Sequence, residues 1–132
     1  MNLLHNNTLG IDIGSTTVKI AVLDSEQHIL FTDYERHYAN IQETLALLLS
    51  RAKEKLGEMA VSPSITGSGG LTLSGHLNVP FTQEVVAVAT ALQDYAPQTD
   101  VAIELGGEDA KIIYFTGGID QRMNGICAGG TG

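Results

Sequence analysis

The segment GIDIGSTTVK combines an acid, a glycine turn and hydroxyl side chains. Asp12 lies inside an apolar strand pattern, so we expect it to be buried, and a buried carboxylate is costly unless it is paired or bound to a cation. Mg²⁺ held directly or through water would meet that need. The turn offers backbone N–H groups and hydroxyls that can converge on phosphate oxygens: Gly14, Ser15, Thr16 and Thr17. Lys19 can add a point charge, and the alternative is an ordinary hairpin in which Asp12 caps the turn.

The segment ELGGEDAK repeats this order of an acid, a glycine turn and a lysine. Glu104 ends an apolar strand pattern, Gly106 and Gly107 form the predicted turn, and Asp109 and Lys111 follow on the next strand. A tight hairpin without a ligand is the alternative for this segment alone. Two such units in one chain favour phosphate binding, because they could clamp the phosphate chain of one nucleotide from two sides. Neither segment has the Walker A pattern or the dinucleotide-binding glycine pattern.

The elements that must position these turns follow an α/β pattern. Alternating or short apolar runs predict strands before and after each turn. Apolar residues at helical spacing predict a first helix in NIQETLALLLSRAKEKLGE, with Asn40 and Gly57 as caps, and a second in QEVVAVATALQDYA. AVSPSITGSGG is predicted to be a strand that runs into a loop, and AKIIYFTGGIDQRMNG a hairpin with TGGID at its tip. The order βββαβαβββ implies a mixed sheet with helices packed on its faces.

Composition narrows the class of protein. The net charge is −8 with only seven Lys and Arg, which disfavours binding to nucleic acid. No apolar run approaches the roughly 18 residues of a membrane-spanning helix. A single cysteine fits the reducing cytosol, so we expect a cytoplasmic protein. The four histidines show no metal-ligand spacing and are predicted to lie at surface or turn positions.

The single cysteine, Cys127, lies in the glycine-rich segment NGICAGGTG. A lone cysteine is most often a small core residue, but glycines also allow backbone N–H groups to approach a sulfur, which suits an iron–sulfur cluster. A [4Fe–4S] cluster needs about four thiolates, whereas this chain has one. CAGGTG is typical of a turn that leads into a helix, so we expect the chain to be a fragment of a longer protein.

GIDIGSTTVK and ELGGEDAK resemble the two phosphate loops of the acetate and sugar kinase, Hsp70 and actin superfamily. With NGICAGGTG, the set is similar to the ATP-dependent activators of 2-hydroxyacyl-CoA dehydratases, a family that also includes ATPase subunits of benzoyl-CoA reductase. The similarity is strongest to the N-terminal module of large, multi-module members, and it runs from Leu9 to Gly132. It implies a ribonuclease-H-like, actin-like ATPase lobe. We expect residues 1–132 to form a single such lobe, with ATP in a cleft against a second similar lobe.

The resemblance also implies roles for single residues. Asp12 matches the acid associated with Mg²⁺, and with Glu104 it is a candidate catalytic residue. The residues that match the phosphate loops, together with the nearby lysine, are Gly14, Ser15, Thr16, Thr17, Lys19, Gly106 and Gly107. Two departures are visible: the family usually has Asp where this chain has Glu104, and TGSGG replaces a segment with Tyr and Arg in the compact members.

The resemblance further implies an iron–sulfur site that this chain completes only in part. Two identical subunits share one [4Fe–4S] cluster in the family, and each gives two cysteines. Cys127 matches the first of the pair, and the second would lie beyond Gly132. We therefore expect the cluster in the full-length homodimer and not in this fragment.

The function that the resemblance implies is ATP binding and hydrolysis, with Mg²⁺, in an activator. That activator would couple hydrolysis to low-potential electron transfer from its cluster to a 2-hydroxyacyl-CoA dehydratase-like partner. We expect the isolated fragment to be inactive. Two alternatives stay open: a small-molecule kinase of the same superfamily, and a non-catalytic assembly module with the same fold.

Overall fold

A computed structural model of the chain describes residues 7–106, 110–115 and 120–124. The chain divides into two compact units, Met1–Thr82 and Gln83–Gly132. Within the described ranges, no helix combines the length and the apolar character that crossing a membrane requires. The expectation of a single lobe over residues 1–132 stays a prediction.

The first unit contains one four-stranded sheet and two helices. Its elements are β1 Asn7–Ile13, β2 Thr17–Leu23, β3 Ile29–Arg36, α1 Ile41–Leu56, β4 Val61–Thr66 and α2 Gly70–Leu77. The strand order is β3-β2-β1-β4. β1 pairs antiparallel with β2, β2 pairs antiparallel with β3, and β4 runs parallel to β1. This confirms the predicted mixed sheet and its crossover through α1.

Strict alternation in β1 and β2 separates a core face from a polar face. Side chains at every second position are buried and pack against the apolar stripe of α1, as successive side chains of a strand point to opposite faces. The buried set includes Leu9, Ile11, Ile13, Val18, Ile20, Val22, Leu45, Leu48 and Ala52. Asp12 and Lys19 fall on the opposite face. The fold thus holds the sheet from one side and leaves the acid and the lysine accessible on the other.

Helix α2 is the element that the sequence pattern did not predict. It begins at Gly70, inside a glycine cluster that local propensity assigns to a loop. Gly70 is buried, and a Cβ at this position would lie 2.6 Å from Ile65 Cγ2, so the helix start packs directly on β4. Leu73 adds a buried apolar contact, and Asn78 ends the helix in the left-handed conformation. Tertiary packing therefore decides this helix against the propensity of its glycines.

The described residues of the second unit form one helix and an antiparallel sheet. Its elements are α3 Glu84–Tyr95, β5 Val101–Leu105, β6 Ala110–Tyr114 and β7 Asp120–Asn124. The strands pair in the order β5-β6-β7. The predicted helix and the β6–β7 hairpin are confirmed, while most of its TGGID tip falls outside the described residues. Ala89, Ala110 and Ile113 are buried in this unit.

Candidate functional site

The end of β1 carries the first predicted site. Asp12 and Lys19 face each other across the β1–β2 pair, and Lys19 Nζ lies 3.7 Å from Asp12 Oδ2. The side chain of Asp12 is 40% exposed and that of Lys19 is 55% exposed. The expectation of a buried carboxylate was therefore wrong, because alternation turns Asp12 away from the core. An exposed ion pair of this kind contributes only about 0–1 kcal/mol, so stability does not explain it.

The turn after Asp12 is closed by main-chain hydrogen bonds. Gly14 N–H donates to the carbonyl of Thr17 at 2.9 Å. The carbonyl of Thr16 accepts from the N–H of His37 at 3.0 Å, and the carbonyl of Gly14 lies 3.1 Å from His37 Nε2. Ser15 and Thr16 therefore sit at the tip of a turn whose carbonyls are engaged on the β3 side.

A glycine loop after β4 packs directly against the end of β1, beside Asp12. Gly69 N–H donates to the carbonyl of Ile13 at 2.9 Å. Gly67 has φ +101°, and a Cβ there would lie 2.2 Å from Ile13 O and 2.6 Å from Asp12 Oδ1. Only glycine fits this contact. Sequence reasoning noted TGSGG as a departure and assigned it no role, although its run of glycines was the available signal.

Thr66, the last residue of β4, lies beside Asp12 as well, and we call the region formed by Asp12, Lys19, Thr66 and Gly67 the corner at the end of β1. Thr66 is the register partner of Asp12 in the parallel β1–β4 pair, so both side chains stand on the same face of the sheet. Its hydroxyl oxygen is buried, and it has no hydrogen-bond partner among the described residues. A buried hydroxyl without a partner is costly in a folded protein. This orphan atom next to Asp12 indicates a place where water or a ligand belongs.

The second predicted turn has the same cross-strand design. Glu104 and Lys111 are partners in the β5–β6 pair, as Asp12 and Lys19 are in β1–β2. Lys111 Nζ lies 3.8 Å from Glu104 Oε1 and forms a second ion pair with Glu84 at the start of α3. The three side chains are only 13–34% exposed. Lys111 is therefore held between two acids.

Several predicted residues have no structural test. Gly106 is exposed at the end of β5, whereas Gly107, Asp109 and Cys127 lie outside the described residues. The two turns belong to separate compact units. That both turns bind one nucleotide stays a prediction.

The residues around Asp12 fit a magnesium ion that also binds a nucleotide. Asp12 offers exposed carboxylate oxygens, and the orphan hydroxyl of Thr66 and the close approach of Gly67 mark a cradle beside it. Within the described ranges, no group of three or more His, Cys, Asp or Glu could hold a metal alone. Mg²⁺ is usually bound by one or two carboxylates together with substrate phosphates and waters, and Asp12 can supply one such carboxylate.

The residues present do not fit a [4Fe–4S] cluster. Such a cluster needs about four thiolate ligands, and the sequence contains one cysteine, Cys127. The chain alone therefore cannot ligate it.

Comparison with known proteins decides the family. The sequence model of the BadF/BadG/BcrA/BcrD ATPase family matches residues 9–132. The chain belongs to the BadF/BadG/BcrA/BcrD ATPase family. This confirms the resemblance drawn from the phosphate loops and NGICAGGTG. One relative is the (R)-2-hydroxyglutaryl-CoA dehydratase activating ATPase of Acidaminococcus fermentans, with 29% identity over 130 residues, 95% of this chain and 49% of that protein.

Solved structures show the fold of this family member. The activator of the 2-hydroxyisocaproyl-CoA dehydratase from Clostridium difficile, with bound ADPNP, matches with a TM-score of 0.74 and 24% identity over 92% of this chain and 47% of that chain. The ethanolamine utilization protein EutJ from Carboxydothermus hydrogenoformans matches with a TM-score of 0.71 and 12% identity over 95% of this chain and 54% of that chain. The ribonuclease-H-like, actin-like ATPase fold is thus confirmed. The chain spans about half the length of these relatives.

Proposed function

We propose that this chain is the N-terminal ATP-binding lobe of a dehydratase activator. The observation that carries the proposal is the corner at the end of β1, where the exposed Asp12–Lys19 pair, the orphan Thr66 hydroxyl and the tight Gly67 turn meet in an ATPase-family chain. Support also comes from a relative that is a dehydratase activating ATPase and from a similar fold that holds ADPNP. The proposed ligand is ATP with Mg²⁺.

Each residue of the first turn has a definite part in this proposal. Asp12 holds the magnesium ion directly or through a water, and the ion neutralises phosphate charge when it is bound. The N–H groups and hydroxyls of Ser15, Thr16 and Thr17 donate to phosphate oxygens, and Gly14 keeps the backbone open for this approach. Lys19 is 55% exposed and 3.7 Å from Asp12, so its ammonium group can turn from the acid to a phosphate.

The second turn is proposed to bind nucleotide phosphate as well. Gly106 and Gly107 supply backbone N–H groups, and Glu104 acts as the acid of the hydrolytic step. Lys111 fixes the position of Glu104 from the neighbouring strand, and its second pair with Glu84 removes its freedom to turn away. This arrangement compensates for the longer side chain of Glu where the family usually has Asp, because a clamped carboxylate keeps one defined position.

The finer proposal concerns coupling in the whole protein. ATP and its hydrolysis products favour different geometries of the lobes and of two identical subunits, and one geometry favours the complex with a 2-hydroxyacyl-CoA dehydratase-like electron acceptor. The electron donor in this proposal is a [4Fe–4S] cluster at the subunit interface of a cytoplasmic homodimer. Cys127 of each subunit would give one thiolate, and the second cysteine of each subunit would lie beyond Gly132.

Calorimetric titration with ATP and Mg²⁺ tests the proposed ligand. The sample is the longest natural polypeptide that contains these residues. Replacing Asp12 by Ala removes a charged contact worth about 1.5–3 kcal/mol, which equals a loss of roughly tenfold to a hundredfold in affinity. Asp24→Ala is the matched control, because Asp24 caps the β2–β3 turn and bonds to its own turn residues. It should bind ATP as the parent does.

The outcomes separate the alternatives. An unmodified protein that binds no ATP, or an Asp12→Ala variant with unchanged affinity, contradicts the proposal. Tight binding without any release of phosphate in the presence of the electron-accepting partner favours the non-catalytic assembly module.

A further inference from the structure

His37 is a buried titratable residue to which the proposed function gives no role. It follows β3 directly, and 7% of its surface is exposed. Its main-chain N–H donates to the carbonyl of Thr16 at 3.0 Å, and its Nε2 lies 3.1 Å from the carbonyl oxygen of Gly14. Its Nδ1 accepts from the N–H of Ala39 at 3.0 Å. Backbone and ring therefore both engage the first glycine turn.

The hydrogen-bond partners of the ring determine which tautomer it adopts. A carbonyl oxygen can only accept, so Nε2 must carry a proton to bond to Gly14. A main-chain N–H can only donate, so Nδ1 must be unprotonated to accept from Ala39. The network thus assigns the neutral Nε2–H tautomer, in which His37 uses both ring nitrogens.

The backbone after His37 is bent to hold the ring in this orientation. Tyr38 and Ala39 have φ values of 45° and 68°, a left-handed conformation that non-glycine residues rarely adopt. Two such residues in succession persist only when surrounding contacts determine them. The bond from Ala39 N–H to Nδ1 is such a contact, so this turn and the ring orientation support each other.

We propose that His37 is a positioning residue that sets the direction of the phosphate-binding N–H groups in the first turn. A trans peptide is planar, and its C=O and N–H point in opposite directions. Fixing the carbonyl of Gly14 towards His37 points the N–H of Ser15 away from it, and fixing the carbonyl of Thr16 does the same for the N–H of Thr17. His37 thereby pre-organises two donors for one anionic ligand, which removes an ordering cost from binding.

This inference rests on the proposed function, and substitutions that each keep one ring contact test it. His37→Gln places an N–H donor near the position of Nε2 and keeps the bond to Gly14. His37→Asn places an oxygen near the position of Nδ1, keeps the bond to Ala39 and loses the bond to Gly14. The matched control is His28→Asn, since His28 is exposed and its ring bonds to Asp24 of its own turn.

The assay is calorimetric titration of the longest natural polypeptide that contains these residues with ATP and Mg²⁺. We expect His37→Gln and His28→Asn to bind within about twofold of the parent, and His37→Asn to bind roughly threefold to tenfold more weakly, the effect of one neutral hydrogen bond. Equal affinities for the Gln and Asn variants would overturn the inference, because a merely structural histidine does not distinguish them. A parent that binds no ATP would overturn the proposed function first.

A spectroscopic measurement on the unmodified protein does not depend on any variant folding. Long-range ¹H–¹⁵N correlation of the His37 ring is expected to show a protonated Nε2 and an unprotonated Nδ1. Addition of ATP with Mg²⁺ is expected to shift the amide signals of Ser15 and Thr17. A ring protonated at Nδ1, or unshifted amides in a protein that binds ATP, would contradict the proposed geometry.

Discussion

The substitution Gly67→Ala probes the corner beside Asp12 most sharply. Gly67 has a positive φ, and an added Cβ would meet Ile13 O at 2.2 Å and Asp12 Oδ1 at 2.6 Å. Gly57 offers a matched control elsewhere in the same unit. It also has a positive φ, +79°, and a Cβ there would meet nothing within 4 Å.

The two glycines allow the conformational term to be separated from the steric term. An alanine held at a positive φ in a sparsely populated backbone region costs about 1–3 kcal/mol, so Gly57→Ala should lose about that much stability. Gly67→Ala carries the same term, and its backbone overlap adds about 1–3 kcal/mol of overpacking. We therefore expect the free energy of unfolding of Gly67→Ala to be about 1–3 kcal/mol lower than that of Gly57→Ala.

The functional effect should separate the variants further. The new methyl group must push away the backbone of Ile13 or the carboxylate of Asp12, and losing the charged contact of that carboxylate costs about 1.5–3 kcal/mol, which is roughly tenfold to a hundredfold in affinity. Denaturant unfolding and ATP titration on the same samples measure both effects. Gly57→Ala should keep the affinity of the parent, whereas Gly67→Ala should lose at least tenfold. Equal stability and equal affinity in the two variants would refute the packing geometry and the placement of the site.

Three further substitutions test contacts that lie within one unit or the other. Leu48→Ala should lower the free energy of unfolding, measured with denaturant, by about 2–5 kcal/mol, because Leu48 is fully buried. The control Leu47→Ala changes an exposed neighbour and should lower it far less. Equal effects of the two substitutions would contradict the α1 packing. Lys111→Met should destabilise the second unit by about 1–3 kcal/mol, since it removes a partly buried ammonium group that forms ion pairs with both Glu84 and Glu104, and unchanged amide exchange in β6 would contradict this. The backbone N–H of His28 holds the pKa of Asp24 below its usual 3.8. Asp24→Asn should therefore lower the melting temperature at pH 7, and the difference should vanish as the pH falls through the lowered pKa of the folded state; a difference that persists in acid would contradict the assignment.

The sequence was sufficient for the elements whose stability is local or periodic. The helix predicted between Asn40 and Gly57 is α1, because its apolar stripe repeats at helical spacing. Alternation in β1 and β2 predicted both strands and the turn between them. The same alternation also places Asp12 on the polar face, so the pattern itself predicts the exposed carboxylate that the structure shows.

The features that the sequence did not reveal depend on contacts between distant segments. Helix α2 starts on glycines, and its position is decided by packing on Ile65 of β4. Gly67 approaches Asp12 only because β4 lies parallel to β1, and a register of this kind is not visible in either segment alone. His37 reaches the first turn because β3 ends beside it, which no local pattern predicts.

The central claim is that both acid-and-glycine turns bind nucleotide phosphate. The most direct test replaces Mg²⁺ by paramagnetic Mn²⁺ in the complex with ATP and measures the broadening of amide signals. The account predicts strong broadening at Ser15 and Thr16 and at Gly106 and Gly107 in the same complex, with Gly57 unaffected. Broadening at one turn alone, with sharp signals at the other, would contradict it.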